Sequence, residues 1–125
     1  MLDGILAHAR RARPDECCGL LIGRAHDVRG FHEARNTAAS PRTRYTINPE
    51  DHFAAIRAAR AAGLEVVGAY HSHPASEAVP SATDRAEAFP HFLFVIVSLA
   101  GPSPVVCGWT LLEGNFAPVR LVRTT

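Results

Sequence analysis

Apolar residues recur at helical spacing at the start of the chain and then gather into short runs. Over residues 2–12 they fall on one face of a helix, which predicts an amphipathic helix that ends before Pro14. The apolar run over residues 17–22 predicts a buried strand, and the looser alternation over residues 27–35 predicts its hairpin partner. The chain is therefore expected to begin with a helix followed by a β-hairpin.

The middle of the chain carries the strongest helix-start signal. Residues 36–42 are loop-like, and residues 45–47 predict a short strand. Asn48 is a favoured N-cap, Pro49 suits the first turn, and two acidic residues follow where the helix dipole favours them. Gly63 is typical of a helix C-terminus. We therefore expect a helix from about residue 49 to residue 62.

The second half of the chain predicts mostly strands. In order, the expected elements are a Val-rich central strand at 64–70, a loop at 74–80, a short helix at 81–89, a buried strand at 92–99, and a closing hairpin of 105–112 and 116–122 around Glu113-Gly114-Asn115. Several strands with two or three helices predict an α+β or α/β fold with one mixed sheet.

Composition narrows the class of protein. A chain of 125 residues has room for a single domain, residues 1–125, and 47% hydrophobic content is ordinary for a globular protein. A net charge of +1 argues against nucleic acid or an anionic membrane as the main partner. No signal-peptide pattern is present, and the longest apolar run, Phe92–Val97, is too short to span a bilayer, so a cytoplasmic location is expected.

The three cysteines do not suggest a disulfide framework. Two of them, Cys17 and Cys18, are adjacent, and Cys107 is distant in sequence. We expect reduced, buried thiols that pack as small hydrophobic side chains.

Two histidines separated by one residue provide the main candidate for chemistry. In an extended segment His71 and His73 project to one side and Ser72 to the other, which suits two ligands of one metal. Pro74 turns the chain outward, and Asp84 can return on the next helix as a third, oxygen ligand. Three ligands of this kind are typical of catalytic zinc, which keeps a fourth position for water. The alternative is a pair of surface histidines at a strand end.

Ser81 and Asp84 also admit a structural explanation. A serine followed three residues later by an acid is a capping-box pattern at a helix start. The two interpretations are compatible, because a ligand on the first turn of a helix is firmly held and the Ser81 hydroxyl can still stabilise an oxyanion. On the residues alone, Glu16 is an acid in a polar loop.

The spacing His71-x-His73, seven residues, Ser81, two residues, Asp84 matches the JAMM motif, and the chain resembles the JAMM (MPN-plus, Mov34/JAB) metalloprotease family. The resemblance extends over roughly residues 2–122. It also rests on the segment Asp15-Glu16-Cys17-Cys18-Gly19-Leu20-Leu21-Ile22-Gly23, on Asn36, on Tyr45-x-Ile47, on Pro49 and on Gly68-Ala69-Tyr70.

The resemblance implies a function for each site residue. His71, His73 and Asp84 would bind Zn²⁺ with a water in the fourth position, and Glu16 would accept that water's proton and pass it to the leaving amine. Ser81 and the zinc would stabilise the oxyanion. The implied fold is a single mixed, curved β-sheet flanked by helices, with a core like that of JAMM proteins and cytidine deaminases.

The length of the chain resembles that of stand-alone prokaryotic members. For these the resemblance implies hydrolysis of a peptide or isopeptide bond at the diglycine tail of a ubiquitin-like sulfur-carrier protein. Two alternatives stay open: a non-catalytic MPN-type interaction module with vestigial zinc, and a nucleic-acid-linked role of the kind suggested for RadC-type proteins. The balanced charge disfavours the second. The oligomeric state is left open.

Overall fold

A computed structural model describes residues 1–87 and 91–123, and over these residues the chain forms one six-stranded sheet with three helices. In chain order the elements are α1 (Leu2–Ala12), β1 (Cys18–Arg24), β2 (Asp27–Ala34), α2 (Pro49–Ala61), β3 (Glu65–His73), α3 (Ala82–Glu87), β4 (Leu93–Ser98), β5 (Val105–Leu112) and β6 (Asn115–Val119). The strand order is β2-β1-β3-β4-β5-β6, with β3 and β4 parallel and the other neighbours antiparallel. This mixed sheet confirms the predicted α+β class.

Local signals set the ends of α2 as predicted. The side chain of Asn48 accepts a hydrogen bond from the backbone N–H of Asp51 at 3.1 Å, which satisfies one of the free donors of the first turn. Pro49 follows in the first turn, where its missing N–H costs nothing. After the helix, Gly63 adopts a positive φ of 72°, which glycine tolerates better than other residues.

The two faces of the sheet carry separate hydrophobic cores, because neighbouring side chains of a strand point to opposite faces. On one face α1 contributes Ile5 and Ala9, which pack with Leu21, Tyr70, Val95 and Val97. On the other face Ala55 of α2 packs with Leu20, Ala69 and Phe94. The sheet is therefore a central layer between α1 and α2.

β3 is longer than the predicted strand over residues 64–70. The ladder continues through the histidines, since Ser72 and His73 pair with Val97 and Ser98 of β4. On its other side β3 pairs with β1, with Cys18 opposite His71. Both histidines therefore pair with β4, and His71 pairs with β1 as well.

The predicted short strand over residues 45–47 is wrong. The structure has one isolated bridge there, between Asn36 and Ile47. The Asn36 side chain accepts the N–H of Thr46 and donates to the carbonyl oxygen of Arg44, so it occupies backbone groups that a longer ladder would need.

The remaining elements differ from prediction only at their ends. Of the helix expected over residues 81–89, α3 covers Ala82–Glu87, and residues 88 and 89 lie outside the described part of the chain. The closing hairpin turns through Glu113 and Gly114, with φ of 51° and 81°, and Asn115 already belongs to β6. Within residues 1–87 and 91–123, no helix has the length and apolar character needed to cross a bilayer.

Candidate functional site

The site forms on the α2 side of the sheet, at the end of β3. Ala69 packs with α2, so the alternation along β3 directs His71 and His73 to the same face. Cys18 of β1 lies opposite His71, and Glu16, two residues earlier, is directed to the same face as Cys18. The pairing of β1 with β3 therefore brings Glu16 to the histidines.

The structure brings His71, His73 and Asp84 together as three buried side chains. The two Nε2 atoms lie 3.1 Å apart, and Oδ2 of Asp84 is 3.1 Å from Nε2 of His71 and 3.2 Å from Nε2 of His73. Glu16 is also buried, and its carboxylate forms a looser group with the two histidines, with ligand atoms within 4.8 Å of one another. The three expected ligands and the expected base therefore meet in one place.

These distances fit a shared metal ion. Ligand atoms about 2.0–2.1 Å from a tetrahedral zinc lie about 3.3 Å from one another, close to the spacing among His71, His73 and Asp84. In addition, Oε1 of Glu16 is buried without a hydrogen-bond partner, although a buried carboxylate oxygen normally has one. The donor set therefore suits a divalent cation of the zinc type, with a carboxylate beside it that is free to take a proton.

The second nitrogen of His73 fixes the orientation of its ring. Nδ1 lies 2.7 Å from the carbonyl oxygen of Glu77, which can only accept, so Nδ1 carries the proton. In the neutral ring Nε2 then keeps its lone pair for a metal, as is usual when a ligand histidine has a partner of this kind.

The loop after β3 is held by three consecutive carbonyl groups. Each accepts a hydrogen bond from a different strand: Ser76 from the hydroxyl of Ser98 at 2.6 Å, Glu77 from His73, and Ala78 from the indole N–H of Trp109 at 3.1 Å. Trp109 also packs against the core on the α2 side.

Ser81 and Asp84 form the predicted capping box. The N–H of Asp84 donates to Oγ of Ser81 at 3.0 Å, and the N–H of Ser81 donates to Oδ2 of Asp84 at 2.9 Å. The second bond helps to orient the oxygen that faces the histidines. In the first bond Ser81 acts only as an acceptor, so its hydroxyl proton is still free to be donated.

Burial and close contacts shift the protonation of the site. Burial raises the pKa of Glu16 to about 7, and the Asp84 carboxylate adds to the rise while His73 opposes it. Burial also disfavours ionised Asp84, but hydrogen bonds with the two histidines hold its pKa well below the usual range. Burial lowers the pKa of His71, against the attraction of Asp84, which favours the neutral ring that a metal requires.

The cysteines are free, as expected. Cys17 and Cys18 are buried, and burial raises the pKa of Cys17 to about 11 and that of Cys18 to about 12. Both thiols are therefore protonated at neutral pH, which removes their nucleophilic character.

Sequence reasoning assigned no task to three residues that support the site. Ser72, directed away from the histidines as predicted, accepts the N–H of Cys17 on its Oγ at 2.8 Å. The ring of Tyr45 stacks on His71, with centroids 4.3 Å apart and an interplanar angle of 24°. Asn36 donates to the backbone oxygen of Glu16 at 3.0 Å. The sequence singled out Asn36 and Tyr45 only as positions that match the family, and it gave neither of them a role.

Comparison with known proteins places the chain in a family. The family of prokaryotic homologs of the JAB domain matches residues 1–111. Desampylase from Haloferax volcanii is 43% identical over 106 residues, which cover 79% of this chain and 76% of that protein. CysO-cysteine peptidase from Mycobacterium tuberculosis is 36% identical over 104 residues, 82% of this chain and 71% of that protein.

A solved structure extends the similarity over almost the whole fold. The solution structure of a Desulfitobacterium hafniense protein superposes with a TM-score of 0.87 at 34% identity and covers 97% of this chain and 86% of that one. The match over residues 1–111 and the identity to these relatives confirm the resemblance noted in the sequence. The chain belongs to the family of prokaryotic JAB-domain proteins.

Proposed function

We propose that this protein is a zinc-dependent peptidase that hydrolyses a peptide or isopeptide bond at the C-terminal tail of a ubiquitin-like sulfur-carrier protein. The observation that supports it most strongly is the triangle of His71 Nε2, His73 Nε2 and Asp84 Oδ2, with the unpartnered carboxylate oxygen of Glu16 beside it. Two relatives carry the names of such hydrolases, desampylase and CysO-cysteine peptidase. The predicted hydrolase class is confirmed by these relatives.

His71, His73 and Asp84 are the proposed zinc ligands. A competing set replaces Asp84 by Glu16, whose carboxylate is also close to both histidines. The spacing of 3.1–3.2 Å favours the set with Asp84, because the ligand atoms of the group with Glu16 meet only the wider limit of 4.8 Å. When bound, zinc would supply Lewis acidity, which polarises a carbonyl group and lowers the pKa of water to about 7.

Glu16 is the proposed general base. Its buried carboxylate accepts a proton from the attacking water on Oε1, and the water oxygen then bonds to the carbonyl carbon. The same carboxyl group returns the proton to the leaving amine as the C–N bond breaks. A pKa of about 7 suits a group that must take and give a proton near neutral pH. A bound cation would lower that pKa by attraction to the carboxylate.

Ser81 is the proposed donor to the developing oxyanion. Its backbone N–H holds Asp84 and its Oγ accepts from the helix, so the capping box fixes the direction of the hydroxyl. A donor fixed in advance does not have to reorganise during the reaction.

The cytoplasmic location expected from the sequence stays a prediction.

The test uses a carrier protein that ends in Gly-Gly and is extended either by a cysteine or by an isopeptide-linked lysine. Purified protein loaded with zinc should release the carrier with its Gly-Gly end intact, as measured by mass spectrometry. Glu16→Gln should keep its zinc and lose roughly 10²–10⁴ in turnover, the usual contribution of general acid–base catalysis. No mass change with either substrate would support the non-catalytic interaction module instead.

The ligand set has its own test. Elemental analysis is expected to find one zinc per chain in the wild type. His71→Ala and Asp84→Ala should each lose it, whereas His52→Ala, on α2, should keep it. Zinc lost from Glu16→Gln but kept in Asp84→Ala would show that Glu16, and not Asp84, is the third ligand.

A further inference from the structure

Asn36, just after β2, uses the full hydrogen-bonding capacity of its side chain near the site. Its Nδ2 donates to the carbonyl oxygens of Glu16 at 3.0 Å and of Arg44 at 3.1 Å. Its Oδ1 accepts the N–H groups of Ala38 and Thr46, both at 3.0 Å. An asparagine amide offers two donors and two acceptor lone pairs, and all four are used here.

The backbone of Glu16 is held on both sides of its Cα. Its N–H donates to the carbonyl oxygen of Pro41 at 2.7 Å, and its own carbonyl accepts from Asn36. The next N–H, that of Cys17, donates to Oγ of Ser72 at 2.8 Å. Glu16 lies outside the regular ladder, because β1 begins at Cys18. Side chains and a loop carbonyl therefore replace the strand hydrogen bonds that would otherwise fix this residue.

The carboxylate of Glu16 depends on these backbone anchors. Its Oε1 is buried and has no hydrogen-bond partner, so that oxygen is held in position by no polar group. The position of the carboxylate follows from that of the backbone. Of the anchors, Asn36 alone joins Glu16 to both Arg44 and Thr46, the two neighbours of the Tyr45 that stacks on His71.

We infer that Asn36 is a positioning residue for catalysis, which sets Glu16 at the correct distance from the two histidines. This inference rests on the proposed role of Glu16 as the base. All four hydrogen bonds of the Asn36 amide go to backbone groups, and the one to Glu16 is the contact through which it would act. A misplacement of a reacting group by about 1 Å can cost about 10²-fold in rate, so loss of one anchor is expected to affect turnover strongly.

The main test variant is Asn36→Asp. Aspartate keeps the acceptor oxygen for the two loop N–H groups, but its second carboxylate oxygen replaces the amide donor and repels the carbonyl oxygens of Glu16 and Arg44. We expect kcat to fall about 10²-fold, with KM and zinc content near those of the wild type. The melting temperature is expected to fall as well, because two hydrogen bonds are lost. Asn36→Ala is the second variant. Thr37→Val is the matched control, because Thr37 Oγ1 bonds the Thr46 carbonyl at 3.3 Å in the same loop without touching Glu16.

A double-mutant comparison separates positioning from general support. If Asn36 acts through Glu16, then Asn36→Asp should add no further loss of kcat in the Glu16→Gln background. Equal losses of kcat in both backgrounds, an unchanged kcat in the single variants, or loss of zinc from both Asn36 variants would each overturn the inference. Failure of the proposed function looks different: the wild type would release no carrier, or Glu16→Gln would remain fully active.

Discussion

The Ser81 hydroxyl caps helix α3 by accepting a hydrogen bond, and it is also proposed to donate one to the oxyanion. Two small substitutions separate its contribution to stability from its contribution to catalysis. Ser81→Ala and Ser81→Gly both remove Oγ, which accepts the N–H of Asp84 at 3.0 Å. Both keep the backbone N–H that donates to Oδ2 of Asp84 at 2.9 Å, so the ligand oxygen keeps that partner. The two variants differ mainly in how well the new residue caps α3.

The expected magnitudes differ enough to be measured. Replacing an N-cap serine by alanine costs about 1 kcal/mol, whereas glycine costs only a few tenths. In a domain of this size, about 1 kcal/mol corresponds to a melting-temperature change of roughly 3–5 °C. Loss of one oxyanion donor costs about 10²–10³ in kcat, equivalent to about 2.7–4 kcal/mol of transition-state stabilisation. We therefore expect Ser81→Ala to melt lower than Ser81→Gly, and both to lose kcat to the same extent.

The assay combines calorimetry of the zinc-loaded proteins with initial rates on the extended carrier substrate. Ser81→Thr, which keeps a hydroxyl, serves as the positive control and should retain most of its activity. The reasoning is refuted if kcat follows stability, with Ser81→Gly close to wild type and Ser81→Ala impaired. In that case the hydroxyl would matter only as a helix cap.

Three further outcomes are expected from other parts of the molecule. A Cβ added at Gly19 would lie 2.3 Å from the ring of the buried Tyr70. Urea titrations should therefore show that Gly19→Ala destabilises the fold by about 1–3 kcal/mol. Gly30→Ala is the control and should not destabilise it, because a Cβ at Gly30 has no neighbour within 4 Å. Hydrogen bonds from Arg35 lower the pKa of Asp51 in the folded protein. They therefore stabilise the fold at pH values above the pKa that Asp51 has in the unfolded chain, and this stabilisation is lost as the pH falls through the pKa of Asp51 in the folded protein. Urea titrations of Arg35→Gln should then show a smaller loss of stability on acidification than the wild type; an identical loss would contradict the pairing. Changing the carrier tail from Gly-Gly to Val-Val should sharply reduce cleavage if the tail threads to the site as a narrow strand, and equal cleavage would exclude threading.

The sequence alone was sufficient to predict the parts of the structure that short-range interactions determine. The cap at Asn48 and the glycine at position 63 bound α2 as predicted, because their effects act within one helical turn. The proximity of His71, His73 and Asp84 could also be predicted from the sequence. Alternation along the strand places the two histidines on one face, and a short loop brings Asp84 back to them. These residues are close in sequence as well as in space.

The pairing register of strands that are distant in sequence could not be predicted in the same way. Glu16 joins the site because Cys18 pairs with His71, and no local property of residues 15–18 determines that pairing. The strand predicted over residues 45–47 does not form for a similar reason. The side chain of Asn36, about ten residues earlier, hydrogen-bonds backbone groups of this segment that a strand would use for pairing. Only the family resemblance identified Glu16 before the structure did.

The pairing of β1 with β3 makes the complete site depend on the complete sheet. His71 and Asp84 are thirteen residues apart, so their contact needs only a short loop to close. The bond between Cys17 and Ser72, next to Glu16, joins residues 55 apart and depends on the pairing of two strands. A partly unfolded chain that keeps the first contact and loses the second is therefore expected to lack Glu16 at the site.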